Sequence, residues 1–284
     1  MRIHHLNCGT DCPVGGALFD GCSHGVLGHL VCHCLLIETD AHGLVLVDTG
    51  YGLRDVARPH ASPSPRITRT WRAMLNIRLR ERETAIRQVE ALGYRAQDVR
   101  HIVVTHLDFD HAGGLEDFPN AAVHVMAREY SDATGPRAGV VAQARWRPSQ
   151  IDGVRDWQLY GPQGDGWFGF EAVRDLKGLP PEILMVPLPG HTWGHAGVAV
   201  AQPGGRWLLH AGDAYFYRGE MREARRRCTP GLRAYQRLME VDARSRMDNQ
   251  ARLRALSIEQ ADVVTVTCTH DPVELARAQA GKPL

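Results

Sequence analysis

Thr105-His106-Leu107-Asp108-Phe109-Asp110-His111-Ala112-Gly113-Gly114-Leu115 is the stretch that decides how this chain is read. It packs four side chains able to bind a metal, His106, Asp108, Asp110 and His111, into six residues. They follow the apolar run His101-Ile102-Val103-Val104, which predicts a short buried strand. A turn leaving a rigid strand can aim imidazoles and carboxylates at one point, as a bound cation requires. Gly113-Gly114 fits that reading, because glycine lets backbone pass close to a crowded site.

Four more apolar runs end in a residue of ligand type. Leu44-Val45-Leu46-Val47 ends in Asp48, and Ile183 to Leu188 leads through Pro189-Gly190 to His191. Trp207-Leu208-Leu209-His210-Ala211-Gly212 ends in Asp213, and Val263 to Thr269 ends in His270. Ligand sites of α/β proteins lie outside the carboxyl ends of strands, so the five ends predict one shared crevice. A lone Asp or His in such a place is commonly a cap or a satisfied polar group; five in one chain exceed that explanation.

The order and spacing of these motifs resemble the metallo-β-lactamase superfold, over about residues 30 to 275. The resemblance implies an αββα four-layer sandwich of that type. It also implies two divalent metal ions, zinc being expected and manganese or iron the alternatives. The first ion would take His106, Asp108 and His191, the second Asp110, His111 and His270, with Asp213 bridging. Asp48 and His195 would hold the ligands in place through hydrogen bonds. The stretches Thr105 to Leu115 and Pro189 to His195 look most like the quorum-signal (N-acyl homoserine lactone) lactonases. The expected reaction is therefore hydrolysis of an ester-like carbonyl by a hydroxide held between the ions, with a lactone as the leading substrate class. Phosphodiester or thioester hydrolysis on the same site, or a non-hydrolytic redox or binding protein of the same fold, are the alternatives. Asp110 would ligate and also carry a proton to the leaving group.

Two departures from the family pattern stand out. Asp108 replaces the second His of the signature, adding a negative charge that predicts a less positive site and a weaker Lewis acid. Phe216 stands where the lactonases carry a Tyr three residues after the bridging Asp. Its neighbours Tyr215 and Tyr217 are then candidates for hydrogen bonding to a developing oxyanion, with wall packing the alternative for both.

The rest of the composition sets limits. A chain of 284 residues, 44% hydrophobic and 23% charged, is long enough for one large layered domain, 1–284. A formal charge of +1 gives no sign of a nucleic-acid partner, so the expected partner is a small-molecule substrate. No apolar run is long enough to span a bilayer, and residues 1 to 6 lack the core of a signal peptide, making the cytoplasm the default. Seven cysteines without a Cys-x-x-Cys pair argue against a disulfide framework; Cys8, Cys12, Cys22 and His24 are a weak candidate for a further metal site. Residues 1–29 read as an irregular N-terminal arm and 131–182 as a loop-rich insertion. Helices are expected over much of 66–92 and over about 230–258. Arg66 to Arg82, with Arg87 just beyond, and Arg218 to Arg227 are rich in arginine and read as solvated helix faces.

Overall fold

The computed structural model describes residues 1–57, 66–136, 140–172, 176–223 and 225–283. Its strands are β1 (Arg2–Asp11), β2 (Leu30–Glu38), β3 (Leu44–Val47), β4 (Ile77–Arg78), β5 (Val99–Val103), β6 (Ala122–Met126) and β7 (Trp157–Tyr160) in the first half. The second half adds β8 (Asp165–Trp167), β9 (Phe170–Ala172), β10 (Ile183–Pro187), β11 (Ala196–Gln202), β12 (Arg206–His210) and β13 (Val264–Thr267). Among the described residues, one sheet runs β4-β1-β2-β3-β5-β6-β7 and a second runs β10-β11-β12-β13, with β8 and β9 paired separately.

Apolar side chains on both faces of these strands explain the layering. Leu35, Ile37, Val45, Val47 and Val103 of the first sheet pack on Ile183, Met185, Val198 and Val200 of the second. The outer face of the first sheet buries Leu36, Leu46 and Ile102 under Ala85, Ile86 and Val89 of the helix Ala85–Ala91. The outer face of the second buries Leu184, Val186 and Leu209 against Leu253 and Leu256 of the helix Ala243–Glu259. Strands buried on both faces read as continuous apolar runs, and the result is the expected four-layer αββα sandwich.

Four expectations need correction. Residues 1–29 are not irregular throughout: β1 pairs along its length with β2 and at its end with β4. Its polar residues, among them His4, His5, Asn7 and Thr10, masked a strand whose register is set by its neighbour. Residues 131–182 include helical segments at Ala127–Thr134 and Val140–Arg145 and the strands β7, β8 and β9, so they are more than a loop region. The arginine-rich stretches are solvated only in part: Arg69, Arg80, Arg82, Arg87 and Arg225 to Arg227 are exposed as expected, whereas Arg66 is buried against Asp55 and Glu116 and the half-buried Arg218 pairs with Asp271. The second-half helix is two, Pro230–Met239 and Ala243–Glu259, with Asp242 capping the latter by accepting from the Ser245 N–H.

Candidate metal centre

Each of the five strand ends delivers its residue to one buried cluster. Asp48 follows β3, the signature follows β5, His191 follows β10, Asp213 follows β12 and His270 follows β13. The first sheet thus supplies residues 106–111 and the second supplies 191, 213 and 270. The turns meet at close quarters: a Cβ on Gly52 would lie 2.1 Å from the Gly113 carbonyl oxygen, so glycine is required where these loops cross.

Two groups of donor atoms share Asp213. In the first, Asp108 Oδ2 lies 3.2 Å from both His106 Nε2 and His191 Nε2. Asp213 Oδ2 lies 3.8 and 3.4 Å from the same two nitrogens. In the second, Asp213 Oδ1 lies 3.4 Å from His111 Nε2 and 3.2 Å from His270 Nε2, while Asp110 Oδ2 is 3.8 and 3.6 Å from them. Donors around a tetrahedral ion with bonds of about 2.0–2.2 Å sit roughly 3.3–3.6 Å apart, so both groups match that geometry. His106 Nε2, His111 Nε2 and Asp213 Oδ1 are buried and have no hydrogen-bond partner. Buried polar atoms without partners are costly, and here they point at common centres.

Hydrogen bonds behind the cluster fix which imidazole nitrogen faces inward. His111 Nδ1 donates to Asp48 Oδ2 at 2.8 Å, His270 Nδ1 donates to the Val31 carbonyl at 2.8 Å, and His106 Nδ1 meets Thr105 Oγ1 at 3.0 Å. Each bond assigns the proton to Nδ1 and leaves the Nε2 lone pair for the centre. Asp48 also accepts from the Thr105 backbone N–H at 2.7 Å and from Thr105 Oγ1 at 2.8 Å. It does this from a left-handed backbone conformation, φ 56°, a strained geometry that clusters at functional sites. His195 accepts from the Asp213 N–H through Nε2 and donates to the Leu188 carbonyl, which steadies Asp213.

Several buried groups at the site carry no motif. Glu129 accepts from the Leu107 N–H and the Thr192 hydroxyl and so ties the signature loop to the His191 loop. Arg145, only 2% exposed, donates from Nε to Asp108 Oδ1 at 2.5 Å and from Nη2 to Asp108 Oδ2 at 2.8 Å. Cys32 brings a thiol near Asp110 and His270. Asp11, at the end of β1, accepts from the Tyr51 hydroxyl; burial and the charge of Asp110 push its carboxyl up to about 7. None of these lies in a motif that the sequence marks, Arg145 included, which closes the helix Val140–Arg145.

Neither tyrosine candidate joins the cluster. Tyr215 donates its hydroxyl to the Glu274 carboxylate, and the Tyr217 hydroxyl lies against Gly21. Phe216 stacks on His270 with ring centres 4.9 Å apart and meets Tyr235 edge-on at 5.8 Å. Cys8, Cys12, Cys22 and His24 form no metal-capable group among the described residues.

The pKa shifts give a prediction about protein kept free of metal with a chelator. Burial opposes charging of His270, but the Asp213 and Asp110 carboxylates outweigh it and push its pKa up to about 9. Burial and the charge of Asp271 raise Glu274 to about 8. Both folded-state values lie above the ordinary ones, so the fold holds protons that the unfolded chain releases. The stability they contribute is complete below the ordinary values and lost as pH rises through the shifted ones. The melting temperature of chelated protein should therefore fall between pH 6.5 and 9; a flat or rising profile over that window would contradict the assignment.

Comparison with known proteins agrees with this geometry. Residues 27–256 match the family described as the metallo-beta-lactamase superfamily. A "Probable metallo-hydrolase" of Mycobacterium tuberculosis is 40% identical over 282 residues, 99% of this chain and 84% of that protein. An N-acyl homoserine lactonase of Azorhizobium caulinodans is 34% identical over 142 residues, 49% of each chain. Among solved structures, an N-acyl homoserine lactone hydrolase holding N-hexanoyl-L-homoserine at its catalytic metal center superposes with TM-score 0.66 and 19% identity, over 96% of this chain and 94% of that one. This chain belongs to the metallo-β-lactamase superfamily and is a metallo-hydrolase of that fold.

Proposed function

We propose that this protein hydrolyses an ester-like carbonyl, with lactones as the leading substrate class, at a centre of two divalent ions. His106, Asp108 and His191 would hold one ion and Asp110, His111 and His270 the other, with Asp213 shared. The observation that carries this reading is the pair of four-atom donor groups joined through the two oxygens of Asp213, with His106 Nε2 and His111 Nε2 buried and lacking a hydrogen-bond partner. When bound, such ions supply a nucleophile from water at neutral pH and polarise the carbonyl oxygen. The residues do the rest. Asp48, Val31 and Thr105 hold the imidazoles with Nε2 forward. Asp110 aims one oxygen at His111 and His270 and keeps the other to take up a proton and return it to the leaving alkoxide.

A hydrogen bond to the developing oxyanion falls to Tyr235 rather than Tyr215 or Tyr217. Its ring meets Phe216 edge-on, and burial followed by the charges of Asp110 and Asp108 raises its phenol well above the usual range, keeping it a donor. The half-chain match to lactonases favours lactones, whereas Phe216 in place of the lactonase Tyr leaves thioesters and phosphodiesters as comparisons in the test. Elemental analysis of protein purified without added metal should give two ions per chain, with zinc the expected species. A panel of N-acyl homoserine lactones, acyl thioesters and phosphodiesters should show the largest kcat/KM on a lactone. One ion per fully loaded chain would sink the dinuclear reading, and preference for a phosphodiester would sink the carbonyl reading.

A further inference from the structure

We propose that Arg145 and Asp108 act as one unit: Arg145 orients Asp108 toward the first donor group and cancels its charge, so that the pair replaces the neutral imidazole found at this place in the signature. This rests on reading that group as a metal position. Arg145 closes the helix Val140–Arg145, outside every motif that marks the centre.

The first support is the shape of the contact. The guanidinium grips both carboxylate oxygens in a fork, Nε on Oδ1 and Nη2 on Oδ2, the arrangement that fixes a carboxylate most firmly. Oδ1 is thereby turned to Arg145, and Oδ2 is the oxygen that faces His106 Nε2 and His191 Nε2. Asp108 offers the centre one donor atom, as an imidazole would. The guanidinium is itself anchored from behind: Nη1 donates to the Met239 carbonyl at 2.7 Å and to the His191 carbonyl at 3.2 Å, and the Trp146 ring lies 5.4 Å from its carbon. Nη2 also lies 2.5 Å from His191 Nε2. A cation on that nitrogen would take the place of this bond, while Nε stays on Oδ1 and Nη1 on the two carbonyls.

The second support is charge. A guanidinium this deeply buried is costly unless a fixed carboxylate answers it. Two divalent ions opposed by three ligand carboxylates keep one positive charge; a His at position 108 would leave two. Arg145 returns the missing one. The weaker Lewis acidity expected from Asp108 alone is thus offset by a residue 37 positions away.

The test is reciprocal rescue, read as zinc bound by chelator-stripped protein and counted after desalting. In Asp108→His, Arg145 becomes a buried cation beside two ions with no carboxylate to answer it. Zinc at the first position should weaken by about 10- to 100-fold, the usual cost of losing a partner behind a metal ligand. Adding Arg145→Met removes the stranded charge, and Asp108→His/Arg145→Met should bind zinc within about threefold of the native chain. A purely structural role for Arg145 predicts the opposite, a double variant worse than the single. If Asp108→His binds zinc as the native chain does, or the double variant binds no better than the single, the proposal is overturned. Should the His variants fail to fold, Asp108→Asn with and without Arg145→Met preserves the carboxylate's shape and is read in the same way. A native chain taking up fewer than two ions would count against the dinuclear centre itself; two ions without rescue would count only against Arg145.

Discussion

Asp110→Asn should lower kcat/KM for the best substrate by about a thousandfold while the protein keeps nearly its native metal content. The amide has the carboxylate's shape, so an oxygen can still stand 3.8 Å from His111 Nε2 and 3.6 Å from His270 Nε2. What it lacks is the capacity to accept a proton and pass it on. Expelling an alkoxide without protonation is slow, so the defect should lie in kcat more than in KM. Leaving groups of lower basicity need less help, and for them the defect should shrink. Near-native turnover on an alkyl lactone would falsify the proton-carrying role, whatever the metal content.

Asp213→Ala should cost both ions together, and with them all measurable hydrolysis. Its two oxygens belong to different donor groups, within 3.2–3.8 Å of four imidazole nitrogens. Removing it leaves each group one donor short and brings the imidazoles together without the carboxylate between them. His270→Ala deletes a donor of the second group alone and should leave one ion per chain. Elemental analysis of the two variants side by side separates a shared ligand from an independent one. Equal metal loss in both would mean that the centre is not divided as described.

Much of this centre was legible in the sequence because its ligands follow apolar runs. Val103, Val47, Val186, Leu209 and Val266 mark strands buried on both faces, and each run ends within a few residues of a donor or, after Val47, of Asp48, which holds one. Position along the chain was enough to collect His106, Asp108, Asp110, His111, His191, Asp213 and His270. Arg145, Glu129 and Tyr235 were out of reach for the same reason. They sit on helices or a helix start with no periodic mark, and they act through side chains that reach across the fold. β1 was missed because four of its residues, Arg2 to His5, are polar or only half-buried. Tyr215 was drawn in by adjacency: consecutive residues after a strand point in different directions, and only Phe216 turns toward His270.

The division of the donors between two sheets has a consequence for how the protein matures. Residues 106–111 and residues 191, 213 and 270 are held by different layers, which pack together through buried contacts such as those of Leu35, Val45 and Val103 with Met185 and Val198. Before those contacts form, neither half holds a complete set of donors for either ion, and the chain between His106 and His270 must close long loops to bring them together. Tight capture of metal therefore has to come late, after the layers dock. Once captured, an ion becomes a further clasp between the two halves. At a free concentration a thousand times its dissociation constant, such a ligand adds about 4 kcal/mol to the folded state. Cells short of the metal would then lose this enzyme twice, first as a catalyst and then, as the unclasped layers part more often, as a protein resistant to proteolysis.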